Sequence, residues 1–183
     1  SAGQATSFGW QEQQDLAGAL TFLGQHPDVP ARPSGFYGIS MGGAVGLMVA
    51  AQDERIGAIA VDSPYTSLHD SLGRHLTLIY PLPKFPFLGF IAATYRLRFG
   101  AWPGAMAPEA TIARISPRPV LLIQGAADRR MTAEGAQRMY DRAGQPKDLW
   151  IIPGAGHLEG SGRQPDEYRK RLAEFFTTSL SQP

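Results

Sequence analysis

The chain of 183 residues is predicted to be an α/β protein with about four parallel strands flanked by helices and one long insertion. Three observations predict it. Four short apolar runs, Ser34–Ile39, Ile56–Val61, Pro119–Gln124 and Lys147–Ile152, alternate with stretches of helical period, the rhythm of a parallel sheet joined by crossover helices. The second and third runs, IGAIAV and PVLLIQ, are apolar at successive rather than alternate positions, as strands buried on both faces are. Small-residue turns follow the first, third and fourth runs: GISMGG, GAAD and PGAGH.

Each element has a local reason. Residues 9–25 read as a helix with Leu16, Leu20 and Leu23 on one face, Thr6 or Ser7 as its cap and His26-Pro27 as its end. Ser34–Ile39 is a strand feeding the turn at Ser40, and residues 42–52 form a small-residue helix. After Ile56–Val61 the rhythm breaks. Residues 67–116 hold a helical stretch from Ser67 to Tyr80, a Pro- and aromatic-rich segment, the short run Tyr95–Phe99 and a Pro/Gly loop. That exceeds a simple crossover, so the stretch is read as a cap inserted over the sheet. Thr132–Ala143 follows the third strand as a helix burying Ala136, Met139, Tyr140 and Ala143. The last helix opens at Pro165, a favoured first-turn residue, and buries Tyr168, Leu172, Phe175 and Phe176.

Composition narrows the function. The net charge of +1, with the basic residues scattered, argues against charge-driven binding to nucleic acid or anionic membrane. Without cysteine there is no disulfide framework, thiolate nucleophile or thiolate metal site. A reducing, cytoplasmic compartment is the expectation, although the opening Ser1-Ala2-Gly3 reads as a processed end. The greasiest stretch, Leu78 to Ala93, is interrupted by Pro81, Pro83, Lys84 and Pro86, so no membrane-spanning helix is expected.

The chemistry concentrates at three strand ends. Ser40 sits where an apolar run meets a small-residue run, the setting of a strand-turn-helix elbow that pushes a hydroxyl out of the backbone. Gly38 and Gly42, two positions to either side, would remove Cβ atoms that otherwise collide, and Gly43 would let the helix pack closely. The helix start adds a field favouring negative charge, and the Met41 N–H would point at an oxyanion. Asp128 follows the third strand and His157 the fourth, so all three emerge at the carboxyl edge, where open α/β sheets carry their sites. His157 would take the Ser40 proton and Asp128 would fix its tautomer. Asp62, at the end of the second strand, is a second candidate acid, although its DSPY setting reads as a structural turn. Arg129 and Arg130 read as partners of Glu159, as plain solvent-exposed residues, or as a preference for an acidic acyl group. His69 and His75 are six apart, out of register for helical metal ligation, and His26 reads as a surface residue, so no metal site is expected. Phe85, Phe87, Phe90, Tyr95 and Trp102 read as packing of the cap, as an apolar acyl pocket above Ser40, or as both.

GISMGG, the Gly-x-x-Asp after a strand and PGAGH are similar to the α/β-hydrolase superfamily. The longer runs VDSPYTSL, PVLLIQGAADRRMT and LWIIPGAGHLEG resemble its bacterial serine-hydrolase branch, near prolyl-oligopeptidase-like and dienelactone-hydrolase-like members. The resemblance spans nearly the whole chain. It implies Ser40, Asp128 and His157 as nucleophile, acid and base, Met41 as oxyanion donor, and a small-molecule acyl substrate cleaved through an acyl-enzyme without a cofactor. The family's sheet is larger, and this chain supplies about four of its last strands. The opening strands, and a His-Gly loop giving a second oxyanion N–H, have no counterpart in residues 1–33. Residues 1–183 are thus expected to be a partial domain, the C-terminal part of that fold. The strand edge at 34–39 is expected to pair with a second copy, to be covered by the N-terminal segment, or to leave the chain prone to association. A prolyl-oligopeptidase-like peptidase stays open as an alternative, as does an inert fragment or scaffold with the hydrolase fold.

Overall fold

Residues 56–62 carry the deepest strand: Ala58, Ile59, Ala60 and Val61 have no solvent exposure in the computed structural model, which describes residues 5–29 and 33–181. The elements in order are α1 (Glu12–Gln25), β1 (Ser34–Ile39), α2 (Ser40–Ala50), β2 (Ile56–Asp62), α3 (Leu68–Ile79), α4 (Lys84–Phe99), the single turn α5 (Pro108–Thr111), β3 (Val120–Gly125), α6 (Ala133–Arg142), β4 (Lys147–Ile152), the single turn α7 (Gly160–Arg163) and α8 (Pro165–Leu180). The four strands form one parallel sheet in the order β1-β2-β3-β4. Ile39 lies opposite Asp62, Asp62 opposite Ile123, and Ile123 opposite Trp150. That register levels the carboxyl ends, so the loops leaving β1, β3 and β4 share one rim.

Both faces of the sheet are covered. On one, Val45, Leu47 and Val49 of α2 pack with Ile59, Val61, Leu122, Ile112, Ile115 and Met139. On the other, Tyr168 of α8 packs with Ala60, Leu121, Ile123, Trp150 and Ile152, with Leu172, Phe175 and Phe176 at the margin. Each fully buried Leu, Ile or Val contributes about 1.5–3 kcal/mol, which is why the apolar runs fix the layers. A third cluster joins the segment between β2 and β3 to α2: Tyr65, Leu68, Tyr95 and Met106 close on Ala44 and Met48.

Several expectations shift. The first helix starts at Glu12 rather than residue 9, because Phe8 (φ 52°) and Gly9 (φ 121°) have left-handed backbone. The N-cap is Gln11, with no side-chain cap hydrogen bond, so neither Thr6 nor Ser7 holds the expected capping position; Ser7 Oγ accepts instead from the Gln11 N–H at 2.7 Å. Leu23, expected on the inner face, is 39% exposed, and only Leu20 is fully buried. The run Tyr95–Phe99 is the end of a longer helix that begins beyond Phe85, whose backbone is extended; Pro86 fits the first turn, where no N–H is needed. Of the five aromatics singled out in residues 67–116, Phe85, Phe87, Phe90 and Trp102 face solvent and Tyr95 alone is buried.

β1 is an edge strand, with Tyr37 and Ile39 exposed. The described part of the N-terminal segment does not cover it. Residues 6–9 lie instead against the β2–β3 segment, where Tyr65 Oη donates to the Phe8 carbonyl at 2.8 Å and Tyr95 Oη donates to that of Ser7. The Glu12 carboxylate fixes this loop by accepting from Thr6 Oγ1, Ser7 N, Ser7 Oγ and Gly9 N.

Candidate active site

Ser40 is the first residue of α2 and has φ 48°, while Ile39 before it is extended. A serine in that left-handed conformation is strained, and the strain holds its side chain out above the strand end. The helix therefore begins at Ser40 itself, two residues earlier than the sequence suggests. A Cβ at Gly38 would sit 2.7 Å from the Phe36 ring and 2.9 Å from the Gly42 backbone, so the turn requires glycine there. Gly42 differs: a Cβ on it would meet nothing within 4 Å. The second close approach falls on Gly43, against the Gly38 carbonyl and Val61. Met41, second in the helix, has an N–H with no intrahelical acceptor.

The loops after β3 and β4 are sewn together before their side chains meet. Ala126 N–H donates to the Ile152 carbonyl and Ala127 N–H to that of Ala155. Their approach is close enough that a Cβ at Gly125 would collide with the Ala155 oxygen. This stitching brings Asp128 under His157. His157 Nδ1 lies 2.7 Å from Asp128 Oδ2, and His157 Nε2 lies 3.1 Å from Ser40 Oγ. The three residues form one hydrogen-bonded line, although 117 positions separate Ser40 from His157.

Asp128 is held from both sides. Its Oδ1 accepts from the N–H groups of Arg130 (2.8 Å) and Met131 (3.0 Å), and its Oδ2 also accepts from Gln124 Nε2 at 3.2 Å. Burial alone would raise its pKa, but the bonds from His157, Met131 and Arg130 outweigh it and hold the carboxyl below the usual aspartate value. It is therefore an anion facing the imidazole. Asp62, the other candidate acid, does not touch His157. Its Oδ2 accepts from Tyr168 Oη at 2.5 Å and its Oδ1 from Ser63 Oγ at 2.8 Å, with Tyr37 Oη 2.9 Å from Tyr168 Oη. Glu159 does not pair with Arg129 or Arg130. It accepts from Gly156 N–H and from Arg163, four residues along its own turn.

Gln124 is the supporting residue that sequence reasoning passed over. Its side chain ties Asp128 to the Met131 carbonyl, and the available signal was a lone polar residue closing an apolar strand. Beside His157 and Asp128 opens a solvent-facing cavity of about 340 Å³. The larger clefts, about 650 and 750 Å³, lie at the amino-terminal edge of the sheet around Pro117 and hold none of the three residues. Among the described residues, no group of His, Asp or Glu side chains is arranged to hold a metal ion, and no helix is long and apolar enough to cross a membrane.

A family model described as "Alpha/beta hydrolase family" matches residues 2–171. The uncharacterized protein YqkD of Bacillus subtilis is 29% identical over 178 residues, covering 96% of this chain and 58% of YqkD. YfhR of Escherichia coli, also uncharacterized, is 28% identical over 170 residues, covering 91% of this chain and 53% of YfhR. The chain thus spans little more than half the length of these relatives. Among solved structures, the esterase Pf2001 of Pyrococcus furiosus superposes with a TM-score of 0.77 at 25% identity, covering 97% of this chain and 66% of the esterase.

Proposed function

Because the chain belongs to the alpha/beta hydrolase family, we propose that it carries the active site of a serine hydrolase cleaving an ester or related acyl bond. The observation that carries this reading is the unbroken line Ser40 Oγ, His157 Nε2, His157 Nδ1, Asp128 Oδ2, at 3.1 and 2.7 Å. The likeness to an esterase agrees with it.

Asp128 accepts from Nδ1–H and so leaves Nε2 of His157 free as a base. Nε2 takes the Ser40 proton as Oγ attacks the acyl carbonyl. The tetrahedral oxyanion lies at the start of α2, where the Met41 N–H and the helix field stabilise it. His157 returns the proton to the departing alcohol, and the acyl group stays on Oγ. Water then repeats the sequence: its proton passes to Nε2, its oxygen bonds to the carbonyl, and Ser40 leaves reprotonated. Gln124 keeps Asp128 in line. Residues 67–116 act as a cap over this rim, and the catalytic domain embraces the whole chain. No cofactor enters the cycle.

Labelling with a fluorophosphonate probe tests the reading. The parent chain reacts and Ser40→Ala does not; labelling that survives Ser40→Ala removes Ser40 as the nucleophile.

A further inference from the structure

A smaller cavity, of about 230 Å³, lies between the β2–β3 segment and α6. Four cationic side chains line it, one from each of four elements: Arg74 of α3, Lys84 of α4, Arg130 of the loop after β3, and Arg138 of α6. Among the described residues Asp70 is the one carboxylate on its wall, and Glu134 stands close enough to Arg74 and Arg138 to feel both charges. Among the described residues Arg74, Lys84 and Arg130 are in no ion pair, and only Arg138 is engaged, by Glu109, which Arg142 shares. Glu159, the expected partner of Arg130, is occupied by Arg163.

Like charges gathered round one small space repel, and an anion between them relieves that repulsion. The start of α6 borders the same space through Thr132 and Gly135, adding the positive end of a helix. Arg130 also lines the cavity beside Asp128 and His157, and its own N–H holds the Asp128 carboxylate. The basic cavity therefore adjoins the candidate site through one residue.

We propose that this cavity is a subsite for an oxyanion, carboxylate or phosphate, carried by the substrate of the Ser40 site. The substrate class becomes an ester with an anionic group set apart from the scissile bond. Arg130 and Arg74 bind that group as guanidinium forks suited to planar or tetrahedral oxyanions, and Lys84 adds a point charge. This inference rests on Ser40 being the nucleophile, so its test is separable from that premise.

In the Ser40→Ala chain, binding of monomethyl adipate, dimethyl adipate and inorganic phosphate is measured by titration calorimetry. Monomethyl adipate binds at least tenfold tighter than its neutral dimethyl ester. The advantage shrinks with added salt and disappears in Arg130→Gln and in the double variant Arg74→Gln/Lys84→Gln. Phosphate binding without adipate binding assigns the subsite to phosphate esters; the reverse assigns it to carboxylates. Equal affinity for the two adipate esters with no phosphate binding overturns the proposal, as does selectivity that survives both variants. Failure of the parent chain to label with fluorophosphonate would strike at Ser40 instead, and leaves the binding result standing.

Discussion

Replacing Asp128 by asparagine changes one atom and reverses the logic of the site. Oδ1 accepts two backbone N–H groups, and Oδ2 accepts from His157 Nδ1 and Gln124 Nε2. An amide satisfies one side only. If its oxygen stays with Arg130 and Met131, its NH2 faces His157 and Gln124; if it turns, it faces two backbone donors. The first arrangement preserves the loop and drives His157 to the tautomer protonated at Nε2, which cannot accept the Ser40 proton. Loss of the correct tautomer in such a triad lowers the rate about 10⁴-fold, equivalent to about 5 kcal/mol of activation free energy. The new amide NH2 also meets the Gln124 NH2 donor to donor, which adds about 1–3 kcal/mol of lost stability. The assay is the pseudo-first-order rate of fluorophosphonate labelling, with circular dichroism and a denaturant titration to establish that the variant folds. Labelling within tenfold of the parent, by a folded Asp128→Asn protein, refutes Asp128 as the residue that orients His157.

Gly38→Ala is expected to destabilise the chain by about 1–3 kcal/mol, because its Cβ would press on the Phe36 ring and Gly42 backbone. Gly42→Ala, with open space, should stay within about 0.5 kcal/mol; equal losses in urea titrations would contradict the elbow geometry. Glu12 predicts an acid-dependent stability. Burial raises its pKa, but hydrogen bonds from Ser7, Thr6 and Gly9 prevail and bring it to about 2, from an ordinary 4.5. A depressed folded-state pKa gives stabilisation that is complete above the ordinary value and fades as pH falls from there toward 2. Thermal melts should therefore show Glu12→Gln less stable than the parent at pH 7, with the gap narrowing below pH 4.5; a constant gap would count against the ionised carboxylate.

The two inner strands were legible because burial on both faces leaves an unbroken apolar run, although β2 ends one residue later than expected and β3 is shifted by one. The half-exposed outer strands were legible from their place in the strand–helix rhythm. Ser34–Ile39 and Lys147–Ile152 occupy their expected bounds, and Pro165 opens the last helix as expected. The alignment of Ser40, Asp128 and His157 on one rim was legible for a related reason: strand ends of a parallel sheet are fixed by register. What escaped the sequence is tertiary. Left-handed backbone at Phe8 delays the first helix, and no local pattern announces it at a phenylalanine. Gly43 makes the close approach expected of it, but that a Cβ at Gly42 would meet nothing depends on packing the sequence does not show. Asp62 belongs to Tyr168, 106 positions away, a partnership that spacing does not reveal. The five aromatics of residues 67–116 read as packing, as an acyl pocket or as both, yet four of them face solvent.

The sequential strand order has a consequence for biogenesis. Each strand adds to the neighbour synthesised just before it, so the core can be laid down in the direction of translation. Within this order the hydroxyl at Ser40 directly follows β1, and the imidazole proposed to activate it follows β4. A nascent or C-terminally clipped product would present the serine without its base. If Ser40 is the nucleophile, its reaction with a fluorophosphonate probe would thus also count the molecules in which β4 has joined β3.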